Sequence, residues 1–584
     1  MAAAILNGER VVVVLFIGLV LFSLPLSLLL HGVALSLLAL SALFIEIRAE
    51  DDASSSSSLS LFKTRPGASS GIFLGAVTLP VVMLSKLIQL SRALSLRQVP
   101  LEELEYLTMQ YWATSASSLS VLVFVCMVIW CSPDRTRPPY SRSVMDAKLS
   151  LSGIVLFAVV CCVSIAATSH NGFHAVLKLL WVLLHGLAAV KLIQHVLSTF
   201  PSCASIGEAL LVTAGIVLYF GDMLAWTIAK VTGYLNSFEM VSAQYGVKRG
   251  EISIIIQGLL LGLLLFPMVF KFVLRIWEFS SSSANSESRT YEIGKSLIFF
   301  ASLGFILIVV VPSWMQFAQD FSVHPLLWVI SFVFSEPLKR LSLCMYWVCV
   351  IYVSVLRFYN ISKNSKIERI LLRKYYHLMA VSMFLPALIF QPKFLDLAFG
   401  AALAVFLVVE IIRVWRIWPL GQLVHQFMNA FTDHRDSDLL IVSHFSLLLG
   451  CALPIWMSSG FNDRPLAPFA GILSLGIGDT MASMVGHKYG VLRWSKTGKK
   501  TIEGTAAGIT SMLAACSILL PLLASTGYIF TQVSTKKKSG SPQGLAAKVV
   551  WKFWTIHPTI FSLLCCSTGH FKLIGTAQDS PTLL

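Results

Sequence analysis

EISIIIQGLLLGLLLFPMVFKFVLRI, residues 251–276, carries no charged side chain between Glu251 and Lys271. Crossing the hydrocarbon core of a bilayer takes about 20 apolar residues in a helix, and this run supplies them. Lipid favours the helix because each one satisfies its own backbone hydrogen bonds. Comparable runs fall near 11–30, 32–46, 71–92, 112–131, 148–168, 174–198, 205–231, 294–315, 324–357 (one span or two), 377–391, 395–412, 439–457, 467–486 and 505–530. The 584 residues are 56% hydrophobic and 12% charged, with mean hydropathy +0.77, whereas soluble domains carry about 25% charged residues. Segments of alternating polarity that would mark a membrane β-barrel are absent. The expected fold is all-α, a polytopic transmembrane helical bundle of roughly 13–17 spans.

The net charge of +15 lies mostly in short loops between apolar runs. That is the pattern of positive cytoplasmic loops and calls for no nucleic-acid partner. The 11 cysteines are scattered and form no CxxC pair, which argues against a zinc site or a disulfide framework. The N-terminus, with Glu9 and Arg10 before an apolar run, lacks the character of a transit peptide and reads as a first retained span. DDASSSSSLS (51–60) and SSSSANSESR (280–289) are Ser-rich and read as loops outside the membrane.

From about Ile361 onward charged residues enter or flank the apolar runs: RKYYH (373–377), EIIR (410–413), FTDHRD (431–436), SHFS (443–446) and GDTMASMVGHKYG (478–490). Three regions expected, on this texture, are 1–360 (a multi-span N-terminal part), 361–532 (a catalytic membrane part) and 533–584 (an atypical tail). The basic loop 359–376, the pair Arg413 and Arg416, and the basic loop 487–504 are separated by even numbers of spans. Charge parity therefore puts all three on the cytoplasmic side.

An aspartate inside an apolar run costs about 2.5–3.5 kcal/mol on insertion scales, so Asp479 is a functional candidate; the alternative is a solvated helix-end residue. Asp479, Ala482, Ser483 and Gly486 share one helical face, which Gly490 extends, and glycines at such spacing also serve close helix packing. In GKKTIEG (498–504), Lys499 and Lys500 offer point charges for phosphate, and Glu503 offers a ligand for Mg²⁺ or a proton acceptor. Thr501 is placed to cap the next helix, whose N-terminus favours an anion. A basic loop with ordinary capping residues fits the same letters. No Walker A spacing is present, and His434–Asp436 mimics a protein-kinase loop but has Ile441 where asparagine is required.

Read together, D-x₂-A-x₃-G-x₃-G-x₈-K-K-T-x-E-G from Asp479 to Gly504 resembles the CTP-binding signature of the dolichol kinases. RKYYH, EIIRVWRIWPLG, FTDHRDSD and SHFSLLLGCALPIW are similar to that family as well, so the resemblance covers about 360–532. The resemblance implies an endoplasmic-reticulum membrane enzyme that transfers phosphate from cytosolic CTP to dolichol, supplying dolichyl phosphate for protein N-glycosylation. It implies a CTP site of Asp479, Ala482, Ser483, Gly486, Gly490, Lys499, Lys500, Thr501, Glu503 and Gly504. Within it the lysines hold the triphosphate, and Asp479 and Glu503 hold Mg²⁺ or accept the prenol proton. Arg373, His377, Glu410, Arg413, Asp433, Arg435, Asp436 and His444 are further candidates that serve equally well as interfacial anchors or ion pairs. Rival readings are a CTP-dependent kinase of phytol, farnesol or diacylglycerol, and a multi-span transporter. The family implies further spans near its C-terminus. Here VSTKKKSGSPQG follows Gln532 and would put three lysines in the lumen, so 533–584 is expected to be an altered end.

Overall fold

The structure, a computed structural model, describes residues 8–54, 70–95, 101–130, 142–169, 172–235, 250–280, 288–364, 369–429, 440, 442–457, 466–493 and 501–526. Among these it is helical, with no strand and an isolated antiparallel bridge between Arg493 and Thr501. Eleven of the described helices are long and apolar enough to cross a membrane, and five shorter ones are apolar too. The chain is a polytopic helical membrane protein, as its apolar runs require.

The described residues form two compact units, one of those up to 235 with 491–493 and 501–502, the other of those from 250 to 490 with 503–526. The first holds α1 (Gly8–Phe22), α2 (Leu29–Ser54), α3 (Ile72–Ser95), α4 (Leu101–Trp130), α5 (Arg142–Ala167), α6 (Gly172–Thr199) and α7 (Ile206–Leu235). The first two apolar runs part at residues 23–25 rather than near residue 31. Pro25 is extended there (φ −73°, ψ 152°) and disfavours helix in the residue before it. Helix α2 also runs on through Asp51–Ser54, into a stretch whose serines suggested a loop.

Helix α3 sits at the centre of this unit, packed on α2, α4 and α7. The first N–H groups of a helix lack partners within it, and in α3 one is met from α2. Glu46 Oε2 accepts the Phe73 N–H at 2.6 Å, while Glu46 Oε1 accepts from Arg10 Nε at 3.0 Å. The Arg10 and Glu46 side chains are 3% and 7% exposed. The pair thus ties α1, α2 and the start of α3 together without leaving charge against lipid.

The second unit begins with α8 (Glu251–Ser280) and α9, which runs from Ser288–Phe305 through a π turn, Ile306–Val310, into Val311–Ala318. There follow α10 (Pro325–Phe334), α11 (Pro337–Asn364), α12 (Arg369–Phe390), α13 (Pro392–Trp415), α14 (Leu420–Asn429) and α15 (Val442–Met457). Helix α16 is assembled from Ala467–Phe469, Ala470–Leu473, the π turn Ser474–Gly478 and Asp479–Tyr489; α17 is Ile502–Ser525. Proline opens α10, α11 and α13, where its missing N–H costs nothing. Pro337 thereby splits the long run 324–357 into two helices. Between α8, α9 and α13 lies an aromatic cluster, with ring centroids 5.0 Å apart for Phe266–Phe299 and for Phe270–Trp415.

Removing the Glu46 charge should be costly, because breaking a buried pair from one side costs about 3–5 kcal/mol. Glu46→Gln is expected to lower the thermal unfolding midpoint in detergent micelles. Arg10→Met combined with Glu46→Gln should recover part of the loss.

Candidate active site

Helices α12 and α16 meet at glycine. A Cβ on Gly476 would lie 2.0 Å from Val381 Cγ2 and 3.3 Å from the His377 carbonyl, so only hydrogen fits between the two helices. Gly476 is also inside the π turn, which draws the Asp479 N–H back to the Ser474 carbonyl. In an α-helix that N–H would go to Leu475. The released Leu475 carbonyl lies 2.9 Å from His377 Nδ1. A carbonyl only accepts, so Nδ1 carries a proton and donates it.

The residue following the π turn is Asp479. It is 1% exposed, and its Oδ2 forms an ion pair with Lys374 Nζ and lies 3.4 Å from His377 Nδ1. Lys374 and His377 stand three residues apart on α12 and so share a face. Thr480 Oγ1 makes a long contact, 3.5 Å, to the Lys374 carbonyl. Asp479 Oδ1 is buried and has no hydrogen-bond partner among the described residues. A carboxylate this deep in an apolar helix is tolerated because a cation meets it, and here the cation comes from the neighbouring span.

On its other side α16 meets α17. A Cβ on Gly508 would lie 3.0 Å from Ala482 Cβ and 3.1 Å from the Gly478 carbonyl. Glu503 is five residues before this crossing, about 7.5 Å along the helix axis toward the loop that joins the two helices. It is half-buried, and Gly504 is buried. Ala482 is buried, Ser483 and Gly486 are half-buried, and Gly490 ends the helix in an extended conformation. Thr501 directly precedes α17 and pairs with Arg493 within the first unit.

Glu410 and Arg413 pair with each other on α13. Arg413 Nε and Nη2 donate to Glu410 Oε2 and Oε1 at 2.8 and 2.7 Å, and both side chains are buried. Arg373 and His444 lie in α12 and α15, their side chains outside the described set. Asp433, Arg435, Asp436, Lys499 and Lys500 lie outside the described residues, as does the segment 533–584. The sequence reading passed over Lys374 in favour of its neighbour Arg373. Both are cations at the head of the same apolar run, and sequence spacing alone does not choose between positions three and four residues from His377.

Among the described residues no three His, Cys, Asp or Glu side chains gather as a metal cage. Mg²⁺ needs no such cage when it arrives with phosphates, since one or two carboxylates then suffice. The buried, unengaged Oδ1 of Asp479 fits that role, with Glu503 on the adjoining helix.

Fold and site together define a multi-span membrane protein whose polar centre is built inside the spans, around a buried carboxylate. The family profile described as Dolichol kinase matches residues 153–449. The chain is 65% identical over 532 residues to the dolichol kinase EVAN of Arabidopsis thaliana, covering 91% of this chain and 93% of that one. It is 32% identical over 348 residues to the dolichol kinase of Homo sapiens, covering 57% and 59% of the two chains. Against the dolichol kinase of Saccharomyces cerevisiae it is 32% identical over 202 residues, covering 34% and 36%. This chain belongs to the dolichol kinase family. No solved structure matches it. The profile begins at residue 153, well inside the N-terminal spans, where the sequence offers no recognisable motif.

Gly476→Leu would drive a side chain into Val381 and part α12 from α16. Overpacking of this kind costs about 1–3 kcal/mol, so the thermal midpoint of the purified protein should fall. Adding Val381→Ala should restore much of it.

Proposed function

We propose that this protein transfers the γ-phosphoryl group of CTP to the terminal hydroxyl of dolichol, releasing CDP. The reaction takes place at the cytosolic face of the endoplasmic-reticulum membrane and supplies dolichyl phosphate for protein N-glycosylation. Membership of the dolichol kinase family supports the acceptor. The observation that carries the reading is Asp479, an anion buried within a span, clamped on one oxygen and open on the other.

Phosphoryl transfer asks a protein for positioning and charge stabilisation more than for covalent chemistry. Lys499 and Lys500 provide the cations for the triphosphate. Asp479 and Glu503 face the reacting end, one as proton acceptor for the prenol hydroxyl or both as ligands of Mg²⁺. Bound there, Mg²⁺ supplies neutralisation of charge on the phosphates. The small residues Ala482, Ser483 and Gly486 give α16 a face that a nucleotide can approach closely. Basic residues at the outer ends of the α12–α13 and α15–α16 pairs support a cytosolic site by charge parity, where CTP is at hand. Long spans bathed in lipid keep the prenyl chain in its own solvent.

Membranes containing the protein, given γ-labelled CTP and a panel of dolichol, phytol, farnesol and diacylglycerol, should label dolichol preferentially. Asp479→Asn and Lys499→Ala should each lower the rate by about 100-fold or more, the usual cost of losing a charge contact in a transition state. Equal labelling from ATP would overturn the donor. Full activity in both variants would overturn the site.

A further inference from the structure

Three buried carboxylate–cation pairs can be compared among the described residues. In two of them both carboxylate oxygens are engaged. Glu46 receives Arg10 on Oε1 and the Phe73 N–H on Oε2; Glu410 receives two nitrogens of Arg413, one on each oxygen. These are closed pairs, as structural ion pairs in an apolar interior must be, since an unmet oxygen carries its full desolvation cost. Asp479 differs. Lys374 and His377 both converge on Oδ2, and Oδ1, equally buried, is left without a partner among the described residues.

The His377 contact is itself held from behind. Its Nδ1 donates to the Leu475 carbonyl that the π turn released, at 2.9 Å, and this holds the ring with Nδ1 3.4 Å from Asp479 Oδ2. The ring therefore has a fixed tautomer and one orientation, in the way an outer partner orients a ligand. The π turn, the lysine and the histidine together set the carboxylate plane. Nothing in this arrangement would be needed merely to neutralise an aspartate, for which one lysine suffices.

We propose that Lys374 and His377 are positioning residues that clamp Asp479 through Oδ2 so that Oδ1 is the oxygen presented to the reacting groups. The proposal rests on the reading of Asp479 as a substrate-facing carboxylate, and it adds two residues of α12 to the site. Neither touches substrate. Their contribution is the orientation of an oxygen, so their loss should act on turnover and leave nucleotide affinity alone.

The experiment is steady-state kinetics of the purified full chain in mixed micelles with dolichol, varying CTP, for Lys374→Met, Lys374→Arg, His377→Leu, His377→Asn and Asp479→Asn. Misplacing a reacting group by about 1 Å costs about 100-fold in rate. Lys374→Met and His377→Leu are therefore expected to lower kcat about 30- to 100-fold while KM for CTP stays within about threefold. Lys374→Arg keeps the cation, and His377→Asn keeps a donor near the place of Nδ1. Both should recover to within about tenfold of the parent rate.

Wild-type kcat in Lys374→Met or His377→Leu would overturn the clamp, as would a loss carried wholly by KM. Equal losses in the conservative and the disruptive variants would also overturn it. If Lys374→Met does not fold, the histidine pair alone decides between these outcomes. Full activity in Asp479→Asn defeats the underlying site reading, and it is a different result from active Lys374 and His377 variants beside an inactive Asp479→Asn.

Discussion

Hydrocarbon offers no hydrogen bonds, so every N–H and C=O inside the bilayer must find its partner within the chain. Most of this structure follows from that constraint. The described spans are helices, and α10, α11 and α13 begin at a proline, whose missing donor would have had no use there. The informative place is the one where the ladder is rewired. In α16 the π turn moves the Asp479 N–H back to Ser474 and frees the Leu475 carbonyl. His377, from the next span, meets that carbonyl. The exception to helical self-sufficiency thus becomes the joint between two spans, and Asp479 stands directly after it. A π turn of this kind is a frequent companion of functional sites, and here its effect can be named: it hands a backbone acceptor to a side chain that also touches the buried acid.

Charge obeys the same rule at a higher cost. The described pairs Arg10–Glu46, Arg413–Glu410 and Lys374–Asp479 each put a cation against a buried carboxylate, and in the first two the cation is buried as well. In the first two both carboxylate oxygens are engaged; Arg10–Glu46 joins α1 to α2, whereas Arg413–Glu410 lies within α13. The third joins α12 to α16 at a glycine contact, while α17 is seated on the opposite side at Gly508. Its carboxylate is left with one side open. Small residues do more here than permit packing: at Gly476 they bring α12 and α16 close enough for Lys374 and His377 to reach a single oxygen of Asp479.

The helical class and most of the spans were legible directly, because burial in lipid is written into composition along every stretch of a span. Boundaries were less legible. The first two runs part at Pro25 and not near residue 31, since a single proline outweighs a continuous apolar pattern. Asp479 stood out as a charge in an expensive place, and the glycines and lysines at fixed distances from it carried the resemblance to the dolichol kinases that the comparisons bear out. Lys374 did not stand out. Beside Arg373 at the head of an apolar run it looks like an anchor at the membrane surface, and no periodicity distinguishes an anchor from a residue that turns inward.

What the sequence determined by itself was solvent, fold class and family. Each depends on local composition or on spacing within about 26 residues, and such features survive in one dimension. What only the tertiary structure decided was which charges meet. Lys374 and Asp479 are 105 positions apart, and their pairing depends on how α12 crosses α16. That crossing is set by the absence of a side chain at Gly476 and by one extra residue in a helical turn. Neither leaves a signal at Lys374, because a contact between spans is a property of two surfaces and is recorded in neither one alone.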